Sequence, residues 1–338
     1  MDSTGPITSP INWPINWPIN WDDVRAARER IARHLPSTPL RRYQALDDEV
    51  GGGIRVLVKH ENHLPTNAFK VRNAVSLLTA LSDAERARGV IAASRGNHGQ
   101  GLAWAGQALG VPVTICVPVG NNAEKNAAMR GLGAEVREVG RDYDECVDIA
   151  ARLAAERGQR VAHSTNDPRI IAGAATMTAE ILEQAGPLDA VVVSVGGGSQ
   201  AVGALVAARA QRPGVAVYAV QAAGASAMHD AWHAGRPVHH ERCDTFADGL
   251  ATRSTYALTF PALRDGLADF ITVGEAAIAE AVRILLRTTH NLAEGAGAAG
   301  LAGLIALRER LAGRSVAIVI SGANIDEPTL RRVLNREL

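Results

Sequence analysis

The sequence predicts an α/β protein built on mostly parallel sheets, and three observations lead there. Short β-branched runs alternate with amphipathic helical runs in two successive series. Glycine-rich turns follow several of these runs and lead into helices, the punctuation of strand–turn–helix units. The length of 338 residues, with 47% hydrophobic and 21% charged residues, suits one large or two modest domains with a substantial core.

Taken in order, a first helix is expected to begin at Asp22 or Asp23, where acidic side chains suit both the cap and the dipole. Residues 54–60 read as a strand, and 69–81 as an amphipathic helix. Strands at 90–94, 113–117 and 135–139 follow, separated by helical runs that include 124–130 and 143–156. A second series places strands at 190–195, 216–221, 270–273 and 315–320, with helices between them, one covering 201–208. Such a rhythm implies parallel strands whose crossovers cover the sheet faces with helices.

Ahead of all this, residues 10–21 spell Pro-Ile-Asn-Trp three times. Proline at every fourth position forbids a continuous helix, so this arm reads as an extended or turning segment with no catalytic role. Formal net charge is zero, which gives no electrostatic footprint for nucleic acid or an anionic membrane. No run is long enough to span a bilayer and the N-terminus lacks a basic, apolar signal pattern, so a soluble cytoplasmic protein is expected. The three cysteines (Cys116, Cys146 and Cys243) have no metal-type spacing, and their odd number argues against a disulfide framework. Cys116, inside a β-branched run, reads as a small core residue.

The chemistry concentrates at strand ends. Lys70 closes the stretch Thr66-Asn67-Ala68-Phe69-Lys70, between a strand and a helix. Burial and a positive helix end both disfavour its ammonium, which makes the neutral amine accessible for Schiff-base chemistry. Ser94-Arg95-Gly96-Asn97-His98-Gly99 follows the next strand and opens a helix whose N–H groups suit a carboxylate. Gly196-Gly197-Gly198-Ser199 can wrap a phosphate, since consecutive glycines bring the backbone close. Ser321-Gly322-Ala323-Asn324 ends the last strand with a hydroxyl able to meet a ring nitrogen. Each segment alone is as well explained by ordinary turn punctuation, and a lone lysine is more often a surface residue. Neither standard nucleotide fingerprint is present. Together, however, they converge on the strand ends where α/β sheets bind ligands.

In this order the motifs resemble the fold-type II pyridoxal-phosphate enzymes, in the serine/threonine dehydratase and serine racemase branch. The matching pieces are Pro39-Leu40, Thr66-x-x-Phe69-Lys70, Ser94-x-Gly96-Asn97-His98, Gly196-Gly197-Gly198, Ala247-Asp248-Gly249, Glu294-Gly295-Ala296-Gly297-Ala298 and Ser321-Gly322-x-Asn324. The resemblance spans about residues 22–326. It implies a tryptophan-synthase-β-like pair of doubly wound sheets, with a small mobile domain (90–166) inserted into a discontinuous large domain (22–89 and 167–338), after an N-terminal arm (1–21).

By resemblance, Lys70 would hold pyridoxal 5'-phosphate covalently and then remove the substrate α-proton. Phe69 would pack on its ring, and Asn97 would bond its phenolic oxygen. Gly196, Gly197, Gly198 and Ser199 would hold its phosphate, and Ser321 would face its ring nitrogen. Thr66, Ser94, Asn97 and His98 would line the substrate carboxylate site. A neutral hydroxyl at the ring nitrogen favours prompt loss of a β-leaving group over transamination. The implied reaction is dehydration and deamination of a β-hydroxy L-amino acid, L-threonine or L-serine, to a 2-oxo acid and ammonia. A bulkier substrate such as L-threo-phenylserine and a non-catalytic cofactor-binding protein are the alternatives. A homodimer or homotetramer is the family habit. The short stretch after Asn324 leaves no room for the regulatory domain of isoleucine-inhibited dehydratases, which favours a catabolic or specialised enzyme.

Three departures qualify the resemblance. Asn67 and Asn73 stand where glycines are usual, and Asn tolerates the left-handed backbone better than most residues. Arg95 replaces the serine that serves racemases as a second base, which makes racemization an unlikely activity. Arg95 either reaches a substrate group or faces solvent. Gln221-Ala222-Ala223-Gly224-Ala225 lacks the acidic pair with which the racemases bind a divalent ion, so no Mg²⁺ or Ca²⁺ is expected there. Glu294 either meets the cofactor edge or caps the helix beginning near Gly295.

Overall fold

The computed structural model describes residues 17–338. The first part of the tryptophan repeat therefore lies outside the described residues. Its last unit is tied to the body of the protein. Ile19 is buried, Trp17 and Trp21 pack against the core, and Asn20 caps the helix Trp21–Ile31 in a capping box with Asp23. The helix thus starts just before the expected Asp22, because the repeat itself supplies the cap.

Among the described residues, ten strands form two sheets. They are β1 (Leu40–Arg42), β2 (Arg55–His60), β3 (Val90–Ala93), β4 (Val113–Val117), β5 (Glu135–Glu138), β6 (Arg160–Val161), β7 (Ala190–Ser194), β8 (Ala216–Ala222), β9 (Asp269–Val273) and β10 (Ser315–Ile320). The larger sheet has the order β1-β2-β10-β7-β8-β9, parallel apart from β1, and the smaller has the order β5-β4-β3-β6, parallel throughout. The smaller sheet is drawn wholly from residues 90–161, while the larger takes strands from both sides of that stretch. β10, last in the chain, enters the middle of the larger sheet, pairing Val316 with Val56 on one side and with Ala190 on the other.

Side-chain alternation explains why these strands are apolar throughout. In β7, Val191 and Val193 face the core beneath the helices Pro168–Gln184 and Ser199–Gln211, whereas Ala190 and Val192 face the core beneath Glu275–Thr289 and Gly295–Ala306. β8 and β10 split in the same way, so both faces of the sheet are covered. β1 and β6 are the strands that the sequence does not announce. They are three and two residues long, and Arg-rich edge segments of that length carry no periodic signal.

Under the helix Lys70–Leu78 lies a dry cluster of charges. Arg72 binds Glu61 at 2.7 Å and Glu180 at 2.7 Å, and Lys59 binds Glu180 at 2.6 Å. Thr38 donates its hydroxyl to Glu61 and accepts at its carbonyl from Lys59. Two cations and two anions with their lone pairs engaged are tolerated in a dry interior, where single charges are not. Among the described residues, no helix is long and apolar enough to cross a membrane, and no group of three or more His, Cys, Asp or Glu side chains is arranged to hold a metal.

Candidate active site

The strand ends of both sheets open onto one cavity of about 1020 Å³, counting its open mouth. Lys70 enters it from the first position of its helix, directly after the loop that leaves β2. Its Nζ donates to the Ser164 carbonyl at 3.3 Å and lies 5.0 Å from the centre of the Phe69 ring. Burial lowers its pKa to about 8, with no carboxylate set against the shift. An amine so placed is neutral in a substantial fraction of molecules near neutral pH, and is therefore a usable nucleophile and base.

The glycine turn faces it. Gly198 has φ +95, a left-handed conformation that glycine adopts without a Cβ clash, and it is the N-cap of the helix Ser199–Gln211. No side chain caps that helix, so its first-turn N–H groups remain donors for an anion. A Cβ on Gly196 would stand 2.4 Å from the Gly249 carbonyl, which seats the turn directly on the Ala247-Asp248-Gly249 loop. Gln200, 4% exposed, carries a side-chain nitrogen with no partner among the described residues. Ser321, directly after β10, lines the same cavity, and its hydroxyl has only a long 3.4 Å contact with the Ala296 carbonyl. A carbonyl carbon at Lys70, a phosphate at the glycine turn and a ring acceptor at Ser321 are the chemistry this donor set suits.

The turn after β3 is braced from within. Ser94 Oγ accepts from the Gly96 and Gly99 N–H groups at 3.2 and 2.8 Å. His98 donates Nε2–H to the Ala162 carbonyl at 2.8 Å, and burial followed by the Lys70 charge lowers its pKa to about 3. It is a neutral, fixed ring. Asn97 donates Nδ2–H to Glu294 Oε1 at 2.6 Å and accepts from Asn324 at 2.7 Å. Glu294 occupies the N-cap position of Gly295–Ala306 but makes no side-chain cap bond. Its carboxylate turns into the cavity instead, and burial raises its pKa. Of the two roles open to it in the sequence, side-chain capping is the one that fails.

Of the residues singled out in the sequence, Phe69, Lys70, Ser94, Asn97, His98, Gly196, Gly197, Gly198, Ser199 and Ser321 all line this cavity. Thr66 does not. Its hydroxyl contacts the Ala68 carbonyl at 3.5 Å, and its own carbonyl accepts from Asn324, so it shapes the loop rather than the wall. Sequence reasoning missed an ion pair on the cavity lining: Lys125 Nζ meets Asp248 Oδ2 at 2.6 Å. The partners lie 123 residues apart, so only the fold reveals them. Asn67 has φ +52, so asparagine fills a left-handed position that favours glycine. Asn73 is fully buried with neither amide atom partnered among the described residues.

Comparison with known proteins agrees with this geometry. The family described as pyridoxal-phosphate dependent enzyme matches residues 31–322. An L-threonine ammonia-lyase of Thermotoga maritima is 38% identical over 94% of this chain and 78% of its own length. An L-threo-3-hydroxyaspartate ammonia-lyase of Pseudomonas sp is 35% identical over 90% of this chain and 95% of its own. The structure of maize serine racemase superposes with a TM-score of 0.89 at 28% identity, covering 95% of this chain and 98% of that one. The chain belongs to the pyridoxal-phosphate dependent enzymes of fold type II, in the serine/threonine dehydratase family.

Proposed function

We propose that the protein is an ammonia-lyase that converts a β-hydroxy L-amino acid to a 2-oxo acid and ammonia, with L-threonine and L-serine as the first substrates to test. The observation that carries this reading is the burial-depressed amine of Lys70, held across one cavity from the Gly198 turn and the neutral hydroxyl of Ser321. Named relatives act on L-threonine and on L-threo-3-hydroxyaspartate, which share the α-amino group, α-carboxylate and β-hydroxyl and differ only beyond the β-carbon. The reading commits to that shared part.

When bound, pyridoxal phosphate supplies an electron sink for the α-carbon. The protein's own residues do the rest. Lys70, neutral above about pH 8, takes the α-proton at Nζ. The turn braced by Ser94 and the first turn of the helix Asn97–Leu109 provide N–H donors for the α-carboxylate. His98, neutral and pinned to Ala162, positions that turn and holds no proton to give at neutral pH. Gly196, Gly197, Gly198 and Ser199 would hold the phosphate, and Ser321 would offer a hydroxyl rather than a carboxylate to the ring nitrogen, which favours elimination. Phe69 and Asn97 would flank the cofactor, and Thr66 supports the loop.

A second reading, turnover of a bulkier substrate such as L-threo-phenylserine, rests only on the room in an adjoining cavity, where Tyr143, Val147 and Tyr256 stand beside Arg95, Asp142 and Arg253. The same family reading makes residues 90–166 a mobile small domain and the protein a cytoplasmic homodimer or homotetramer; light scattering tests the assembly. The deciding experiment is 2-oxo acid release from L-threonine, L-serine and L-threo-phenylserine with added cofactor. Turnover of threonine or serine supports the first reading, and turnover of phenylserine alone the second. Silence on all three, with the cofactor bound, points to a substrate outside this set or to a non-catalytic binder.

A further inference from the structure

The cavity wall carries a cation that the elimination does not use. Arg95 lines both the main cavity and the adjoining one, which share Arg95, Tyr143, Ala251, Thr252 and Tyr256. Its guanidinium makes no hydrogen bond among the described residues. The anion beside it, Asp248 Oδ1, is 3.8 Å away. That carboxylate is already committed to Lys125, whose Nζ holds Oδ2 at 2.6 Å and whose side chain is only 11% exposed. Arg95 is 47% exposed. The mouth thus has two cations for one anion.

The other titratable groups do not correct that imbalance; on the adjoining wall Asp142 is itself paired with Arg253 at 3.6 Å. Lys70 is reserved for the cofactor, and His98 is neutral. The Glu294 carboxylate is bound by Asn97, and burial opposes its charge. A guanidinium that makes no hydrogen bond, and only a long 3.8 Å ion pair, presents parallel N–H donors that match a carboxylate in a two-pronged pair. A phenyl group placed there would leave those donors unpaired, so the polar wall favours an acid over an aromatic ring.

We infer that Arg95 is a specificity-determining residue that binds a second, distal carboxylate of the substrate. The favoured substrates are then β-hydroxy amino acids that carry a carboxylate where threonine carries its methyl group. This rests on the elimination reading and deepens it. For the simplest such acid, 3-hydroxyaspartate, the Cα–H and Cβ–O bonds break and a Cα–Cβ double bond forms. Hydroxide leaves with a proton as water, and hydrolysis of the product returns that water and releases ammonia and oxaloacetate. No oxidant or reductant is needed.

The test compares kcat/KM for L-threo-3-hydroxyaspartate and L-threonine in the wild-type holoenzyme, Arg95→Ala and Arg95→Lys, alongside calorimetric binding of L-aspartate, which lacks the leaving group. The expected result is a wild-type preference for the dicarboxylate. In Arg95→Ala that preference falls at least tenfold, mainly through KM, and L-aspartate binding weakens by a similar factor. Arg95→Lys recovers part of both. Wild-type turnover of threonine without turnover of 3-hydroxyaspartate overturns the inference and leaves the elimination reading standing. An equal loss on both substrates in Arg95→Ala also overturns it, and makes Arg95 a brace for Asp248. Failure of the wild type on every β-hydroxy amino acid brings down the elimination reading and this inference together.

Discussion

Gly101 is pressed against the backbone of Lys70: a Cβ at Gly101 would stand 2.9 Å from the Lys70 carbonyl carbon and oxygen. The helix Asn97–Leu109, which follows a strand of the smaller sheet, therefore sits on the first turn of the helix that presents the lysine. No side chain fits between them. Any displacement of one helix is passed to the other as hard contact, because close-packed interiors transmit strain rather than absorb it.

Gly101→Ala is accordingly expected to lower kcat/KM at least tenfold and to cost about 1–3 kcal/mol of stability, the usual range for overpacking a filled site. Gly131→Ala is the control, since a Cβ there meets nothing within 4 Å. It should stay within about 0.5 kcal/mol of wild type, as surface substitutions do. Denaturation midpoints and 2-oxo acid assays of the two variants check this; similar behaviour of both would remove Gly101 from any role in placing Lys70.

The Lys70 amine also sets a pH dependence. Its pKa is lowered to about 8 by burial, so the reactive neutral form grows as pH rises through 8 and saturates above it. Cofactor-free enzyme mixed with pyridoxal phosphate should develop its visible absorbance at a rate that climbs from pH 6.5 to about 8.5 and then levels off. Lys70→Ala should develop no such band while keeping its helical circular dichroism. A rate that keeps rising tenfold per pH unit to pH 10 would place the amine at the ordinary lysine value and refute the burial argument.

Much of this was readable in the sequence, for reasons that particular residues make plain. β10 and β7 were legible because Ser315–Ile320 and Ala190–Ser194 are buried on both faces, and double burial demands an unbroken apolar run. β6 was not, because Arg160–Val161 gains its strand character only by pairing with Val90 and Ile91. The glycine turn was legible because its left-handed backbone calls for glycine, and Lys70 because it stands at a strand-to-helix junction in the company of the other motifs; both line the one cavity. The Lys125–Asp248 pair and the turn of Glu294 toward Asn97 depend on contacts between segments more than a hundred residues apart. Thr66 was misplaced on the wall because a motif fixes which residues are neighbours in sequence and not which way a hydroxyl turns.

Asn67 tests the left-handed position directly. With φ +52, Asn67→Gly should be neutral or stabilising, whereas Asn67→Val should cost about 1–2 kcal/mol, the penalty of a Cβ in that region. Asn67 also accepts at its carbonyl from the Ala323 N–H at 2.9 Å, which ties the lysine loop to the Ser321 loop. Activity should therefore fall with stability in the valine variant. Equal denaturation midpoints for the glycine and valine variants would contradict the assigned backbone.

The buried charge cluster predicts an acid limb. Burial works to raise the Glu180 pKa, but Arg72 and then Lys59 outweigh it and leave the carboxyl at about 2. A carboxyl whose folded pKa lies below its ordinary value of 4.5 contributes stability that is complete above about pH 4.5 and is lost as pH falls toward 2. Glu180→Gln leaves Lys59 and Arg72 with Glu61 as their remaining carboxylate partner, an uncompensated buried charge, and should cost about 3–5 kcal/mol at neutral pH. Because the wild type alone loses this contribution in acid, the gap between the two proteins should narrow steadily from pH 5 to pH 3. Urea denaturation across that range measures it. A gap that stays constant would mean that Glu180 titrates alike in the folded and unfolded protein, and that Arg72 and Lys59 do not hold its carboxyl below the ordinary value.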